Sequence, residues 1–210
     1  YHVPLFSPLS VLIGVGSNLG DHNGTSFLEK YMNRLCTLPG FTITVPAGNE
    51  ANKKHHYRGT FTTDTAQPQV IELDVAENNS GFLLQFFGSI TNRFSLSVKT
   101  PLGEEINRIS YDLERSVRYS FLYDRASIDA DSLISDPLSA EEAIYLRFQN
   151  PTPGIWRVTV HPEQISPGAV YDFWLPSESM LSSDVSFTVP DSYITLSAPS
   201  MAANCLCTAS

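Results

Sequence analysis

A partial parallel βαβ unit interrupted by an antiparallel jelly-roll β-sandwich, α/β plus all-β in class, is the fold that these 210 residues predict. Three observations lead to it. The N-terminal quarter runs strand, helix, strand with short joints. From about Arg58 to Pro190 apolar and polar residues alternate at every second position, and the tail from Ser197 turns small and apolar again.

Val11 to Gly16 (VLIGVG) is a continuous apolar run ended by glycine, the pattern of a strand buried on both faces. Thr25 to Leu38 follows as a helix. Thr25 or Ser26 can cap it, Glu29 falls in the first turn, Phe27, Leu28, Tyr31, Met32 and Leu35 keep helical spacing, and Pro39-Gly40 stops it. Phe41 to Val45 alternates as a second strand, with Pro46 to Glu50 as the loop at its carboxyl end, so the three elements form a parallel crossover. Later strands are predicted at Val70–Val75, Arg93–Val98, Ile144–Phe148, Ile155–Val160, Val170–Leu175 and Val185–Val189. Turn-forming residues at Asn78–Gly81, Pro101–Gly103, Asn150–Gly154 and Ser166–Gly168 separate them. Many short strands so spaced fit a jelly roll. Met201 to Ser210 can add a buried strand to the parallel sheet. The expected organisation is therefore residues 1–58 as a partial α/β core, 59–196 as the inserted sandwich and 197–210 as the returning strand.

With 22 acidic against 13 basic residues and a net charge of -9, the chain is a poor partner for nucleic acid or an anionic membrane surface. No stretch reaches the about 18 consecutive apolar residues of a membrane span, and Tyr1 to Ser10 lack the basic cluster of a secretory signal. The early arrival of a buried-strand run reads as an internal piece of a longer protein. Cys36, Cys205 and Cys207 form no disulfide framework and are expected as buried free thiols.

The most suggestive chemistry lies in Ala47-Gly48-Asn49-Glu50. Loops beyond the carboxyl ends of parallel strands are where α/β proteins place ligands, and an Asn amide there is a neutral donor to a developing oxyanion. The alternative reading of Gly48-Asn49 is a simple turn, since both residues tolerate left-handed backbone.

In context the chain resembles the subtilisin-like serine proteases, and more narrowly their Csp-like branch in clostridia and related gut bacteria, which carries a jelly-roll insertion. The resemblance rests on Gly16 to Ser26 (GSNLGDHNGTS), Gly48-Asn49-Glu50, His55 to Gly59 (HHYRG), Pro101 to Glu104, Ile144 to Gly154 with Ile155-Trp156, and Phe173 to Pro176. It implies a parent that hydrolyses peptide bonds in proteins with no cofactor or metal. Asn49 would stabilise the oxyanion, Gly14, Val15 and Gly16 would pair with an extended substrate, and Ala47 and Gly48 would line the specificity pocket. In family order the catalytic Asp and His precede Leu12 and the nucleophilic Ser follows Ser210, so the segment alone is expected to be inactive. A bacterial setting, cytoplasmic or associated with the spore or cell envelope, goes with the same resemblance.

Three stretches imitate the missing triad. Asp21-His22-Asn23-Gly24-Thr25 is broken by Asn23, Gly24-Thr25-Ser26 is followed by Phe27-Leu28-Glu29 and reads better as a helix cap, and Ser200-Met201-Ala202-Ala203 fits the strand that re-enters the core. His55 and His56 point in different directions and are expected at a structural position or a substrate rim rather than on a metal. Asp124, Asp129, Asp131, Asp136, Glu141 and Glu142 are either a solvated face or calcium ligands without an EF-hand pattern. Trp156, Trp174, Tyr171 and Phe173 are core residues or sugar-stacking platforms. Two further functions compete: a non-catalytic pseudoprotease and a jelly-roll binding module. Exposed edges of the small parallel sheet favour homo-oligomers.

Overall fold

The structure, a computed structural model, describes residues 7–62, 67–113, 115–133 and 141–209. In chain order its elements begin with β1 (Leu9–Leu12), α1 (Phe27–Leu35), β2 (Phe41–Pro46), β3 (His56–Phe61), β4 (Gln69–Val75), β5 (Gly81–Ser89), β6 (Arg93–Lys99) and β7 (Glu105–Ile109). They continue with β8 (Val117–Ser120), β9 (Ser127–Leu133), β10 (Glu141–Gln149), β11 (Gly154–Gln164), β12 (Ala169–Trp174), β13 (Val185–Phe187) and β14 (Leu206–Thr208). Two compact units result, Tyr1–Glu50 with Ile194–Ser210 and Ala51–Tyr193. The divide lies ahead of the joints expected at 58/59 and 196/197. β3 pairs along its whole length with β12 and so goes with the sandwich.

In the first unit β1 and β14 flank β2, both parallel to it, with Leu9↔Phe41 to Leu12↔Thr44 on one side and Leu206↔Thr44 to Thr208↔Pro46 on the other. α1 begins at a capping box. Ser26 accepts a hydrogen bond from the Glu29 N–H, and the Glu29 carboxylate accepts one from the Ser26 N–H, each 3.2 Å long. The helix lays Met32 on Ile43, Val45 and Ala202, edged by Val11, Ile13 and Leu35. Only this face of the sheet is sealed among the described residues. That corrects two expectations. The strand predicted over Val11–Gly16 is not buried on both faces: Val11 and Ile13 are half-buried, Leu12 and Val15 are 77% and 71% exposed, and β1 itself stops at Leu12. β14 is likewise exposed at all three positions, Cys207 included, while Cys36 and Cys205 are half-buried.

The second unit is a jelly-roll-like sandwich of two antiparallel sheets, ordered β3-β12-β5-β10-β9-β8 and β13-β4-β11-β6-β7. Strand period decides its core. Phe82, Leu84 and Phe86 on β5, Ile144, Leu146 and Phe148 on β10 and Tyr171 and Phe173 on β12 face Ile71, Leu73 and Val75 on β4, Leu96 and Val98 on β6 and Trp156, Val158 and Val160 on β11. Tyr171 sits at the centre, its ring centroid 5.6 Å from Phe61, 5.8 Å from Phe86 and 5.9 Å from Phe94, and its hydroxyl donates to Gln69 Oε1 at 2.6 Å. Gly59 is its cross-strand partner. A Cβ there would lie 2.1 Å from Tyr171 Cζ, so the ring occupies the space a side chain would need. Both tryptophans and Phe173 are also buried, which leaves no sugar-stacking platform among these four aromatics. Five strands, β3, β5, β7, β8 and β9, go beyond the predicted set.

Within the acidic run Asp129 and Asp131 are paired with arginines on the outer face, while Asp124 and Glu142 are buried. Arg118 makes a two-pronged bond to Asp129 at 2.6 and 2.7 Å, Arg147 pairs with Asp131, and among the described residues no three His, Cys, Asp or Glu side chains gather for a metal. Asp136 lies outside the described residues. Among those described, no helix is long and apolar enough to cross a membrane.

Glu142 lies instead on the core side of β10, in step with Ile144, Leu146 and Phe148: it is fully buried, accepting the Phe94 N–H at 3.2 Å with Arg93 Nη1 3.9 Å away. Burial pushes its carboxyl up to about 8 against these two opposing partners. The folded state therefore holds a proton that the unfolded chain has released between pH 4.5 and about 8, so stability falls as pH rises through that window and is flat above it. Glu142→Gln is expected to flatten this slope. Denaturant unfolding should show the variant more stable than the parent at pH 9, by up to about 4 kcal/mol, and nearly equal to it at pH 4.

Candidate functional site

β2 and β14 end side by side, and the chain beyond their carboxyl ends encloses a cavity of about 310 Å³ lined by Pro46, Ala47, Gly48, Asn49, Thr208 and Ala209. Parallel strands create such a crevice because both loops leave the sheet at the same edge. The Ala47 N–H donates to Thr208 O at 2.8 Å and the Ala47 carbonyl accepts the Ser197 N–H at 3.0 Å, which fixes the loop from both sides. Gly48 then turns with φ +95°, where a Cβ would lie 2.2 Å from Ser197 Oγ and 2.9 Å from Ser197 Cβ. Backbone conformation and space both require glycine here.

Asn49 follows on the exposed side of this turn, and its side chain makes no hydrogen bond among the described residues. Its amide is thus free to donate at the rim of the cavity. Glu50, by contrast, is tied inward: it accepts from Asn18 Nδ2 at 3.1 Å, and the fully buried Asn18 accepts in turn from Ser197 Oγ at 3.4 Å. Gly48 and Asn49 therefore make a turn and also present a donor; the two readings of the sequence are compatible.

The stretch Gly14-Val15-Gly16 leaves the sheet after the Ile13 N–H has donated to Thr44 O at 3.0 Å. All three residues are exposed, and nothing lies within 4 Å of a Cβ built on Gly14. Ser17 then forms a two-way antiparallel bridge with Ala198, at 2.9 and 2.8 Å. The structure thus brings Ala47, Gly48 and Asn49 to one cavity and leaves Gly14 to Gly16 as an open stretch of backbone. It also adds Asn18, Ser197 and Thr208, which sequence reasoning missed because each acts through tertiary closure across more than a hundred residues.

The imitations of a triad have structural roles. His22 is buried with its ring nitrogens against two carbonyls, Leu196 O at 2.9 Å and Asn18 O at 3.1 Å. Thr25 donates to Asp21, and Ser26 caps α1. Ser200 is buried in a turn in which its N–H donates to Ser197 O at 2.8 Å, and its Oγ has no hydrogen-bond partner.

In the second unit His56 is buried too, with Nε2 2.8 Å from Asp172 Oδ1 and its ring stacked on Trp174 at 3.9 Å. Burial works to raise the Asp172 carboxyl, yet the hydrogen bonds from His56 and Arg58 hold it below the ordinary value. His56 is therefore engaged in a hydrogen bond to Asp172. Neighbouring His55 is buried as well.

Gly48→Ala tests the geometry of the turn. It is expected to destabilise the first unit by about 2 kcal/mol or more and to speed amide exchange at Ala47 and Ser197. Adding Ser197→Ala should not restore it, because the Ser197 Cβ remains in the way.

No family model and no curated protein matches the sequence. Among solved structures the chain is similar to the Clostridium perfringens CspB protease, with a TM-score of 0.82 and 27% identity. The match covers 95% of this chain and 41% of that one, so the chain spans about two fifths of the protease's length.

Proposed function

We propose that this chain is the oxyanion-hole and substrate-binding portion, with a jelly-roll insertion, of a subtilisin-family serine endopeptidase of the Csp-like kind. The observation that carries the reading is the free amide of Asn49, held by a glycine-only turn at the rim of the cavity beyond β2 and β14. Likeness to a clostridial protease over 95% of the chain supports it independently.

In such an enzyme a serine attacks the scissile carbonyl while a histidine takes its proton. This chain's residues do the rest of the work at the carbonyl. Asn49 Nδ2 donates to the oxygen as it becomes an oxyanion, and the tie between Asn18 and Glu50 keeps the loop from drifting. The exposed Gly14-Val15-Gly16 backbone pairs with the extended peptide substrate by strand addition, and the two glycines let it approach closely. Ala47 and Gly48 form the wall against which the substrate side chain rests. The Asp, His and Ser of the triad belong to the remaining length of the protease, since His22, Ser26 and Ser200 are all engaged or enclosed elsewhere.

Two outcomes test this. Residues 1–210 alone should neither hydrolyse a peptide substrate nor react with a serine-directed fluorophosphonate; labelling would place a nucleophile in this chain and sink the assignment. In the protease carrying the segment, Asn49→Ala should lower kcat by about 10²–10³ with little change in KM, a magnitude borrowed from subtilisin's own oxyanion-hole Asn.

A further inference from the structure

Cys36 closes α1, its N–H donating to Met32 O at 2.9 Å, and Cys205 stands just before β14, its N–H donating to Ala202 O at 3.2 Å. Both backbones are therefore anchored. Although 169 positions apart in sequence, the two sulfurs lie 3.7 Å from each other at the margin of the Met32–Ile43–Val45 cluster. A disulfide needs about 2.05 Å, a further closure of ~1.7 Å between the two sulfurs. Cys207, exposed on β14, is two residues beyond Cys205 and poorly placed to pair with it.

We propose that Cys36 and Cys205 are a redox pair that closes to an intramolecular disulfide by exchange with a low-molecular-weight disulfide, and reopens in a reducing thiol pool. In closing, one cysteine thiolate attacks the small disulfide, forming a mixed disulfide and releasing one small thiol. The second cysteine thiolate then attacks the protein sulfur of that intermediate, forming the Cys36–Cys205 bond and releasing the other small thiol. The protein loses two electrons and two protons, and the small disulfide is reduced by the same amount. Burial, with Cys36 alongside, pushes the Cys205 thiol up to about 11, so closure accelerates as pH rises from 7 toward 9.

The bond ties the end of α1 to the segment that delivers β14, and the chain loop it closes contains all of Ala51–Tyr193. Thr208 and its contact with Ala47 lie three residues beyond the tether. The pair is thus a covalent clasp on the unit that holds the cavity, closed in oxidising surroundings and open in reducing ones.

The test uses the 210-residue Cys207→Ser chain and oxidised glutathione at pH 8. Intact mass should fall by two hydrogens with no retained glutathione, both thiols should become resistant to alkylation after denaturation, and peptide mapping should find Cys36 joined to Cys205. Trypsin-nicked material should run as one species until a reductant is added. Cys36→Ser in the same background should abolish closure and leave Cys205 free or singly glutathionylated. Two glutathione adducts, two alkylatable thiols or a disulfide-linked dimer in the Cys207→Ser chain would overturn the proposal.

Discussion

Ser197 packs tightly on two stretches of backbone, and at one of them it leaves no room for a side chain. A Cβ on Gly16 would lie 3.0 Å from its Cβ, and one on Gly48 would overlap its hydroxyl. Around this point the Ser17–Ala198 bridge, the Ala47–Ser197 hydrogen bond and the Asn18–Glu50 tie are all made. The first two join segments about 150 or more positions apart and depend on the returning chain reaching this place, while the third binds two parts of the N-terminal segment, and Ser197 reaches it through Asn18. Asn49 owes its exposed position to this convergence: the residues on either side of it are held, and its own side chain is left free. A site designed to meet a ligand needs that division between rigid frame and unspent donor.

The sandwich obeys a different logic. Its two sheets share a core filled by residues of ten strands, and Tyr171 reaches across the middle of it over the bare backbone of Gly59. Stacked and edge-on aromatic contacts surround that ring, and its hydroxyl is satisfied by Gln69, as the Trp156 Nε1 is by the Thr152 carbonyl. Most charges stay on the outer surface, several of them in arginine–carboxylate pairs, whereas Asp124 and Glu142 are buried.

Legibility in the sequence followed burial. Strands with one wet face, such as β4, β11 and β12, show period-two alternation and are placed within a few residues. β5 escaped because Leu84, Gln85, Phe86, Phe87 and Gly88 are buried in succession, which erases the alternation. β8 and β9 escaped because their exposed faces carry the Arg118–Asp129 pair and its neighbours, and read as a charged loop. Pattern could also mislead: VLIGVG has the composition of a strand covered on both sides, yet the described residues cover only one. At the site, Gly48-Asn49 was readable because turn chemistry is local. Thr208 and Ser197 were not, since nothing in TAS or LSA hints at which loop they touch.

The placement of the two tryptophans separates the halves of the molecule optically. Trp156 and Trp174 both belong to the sandwich, one edge-on to Phe121 and Phe148 and the other stacked on His56. Indole fluorescence therefore reports directly on the sandwich and carries no chromophore from the parallel-sheet unit. Melting of the sheet that supports Asn49 would leave that signal without a reporter of its own, and a tryptophan introduced at Phe41 or Tyr31 would give the smaller unit a voice in the same spectrum.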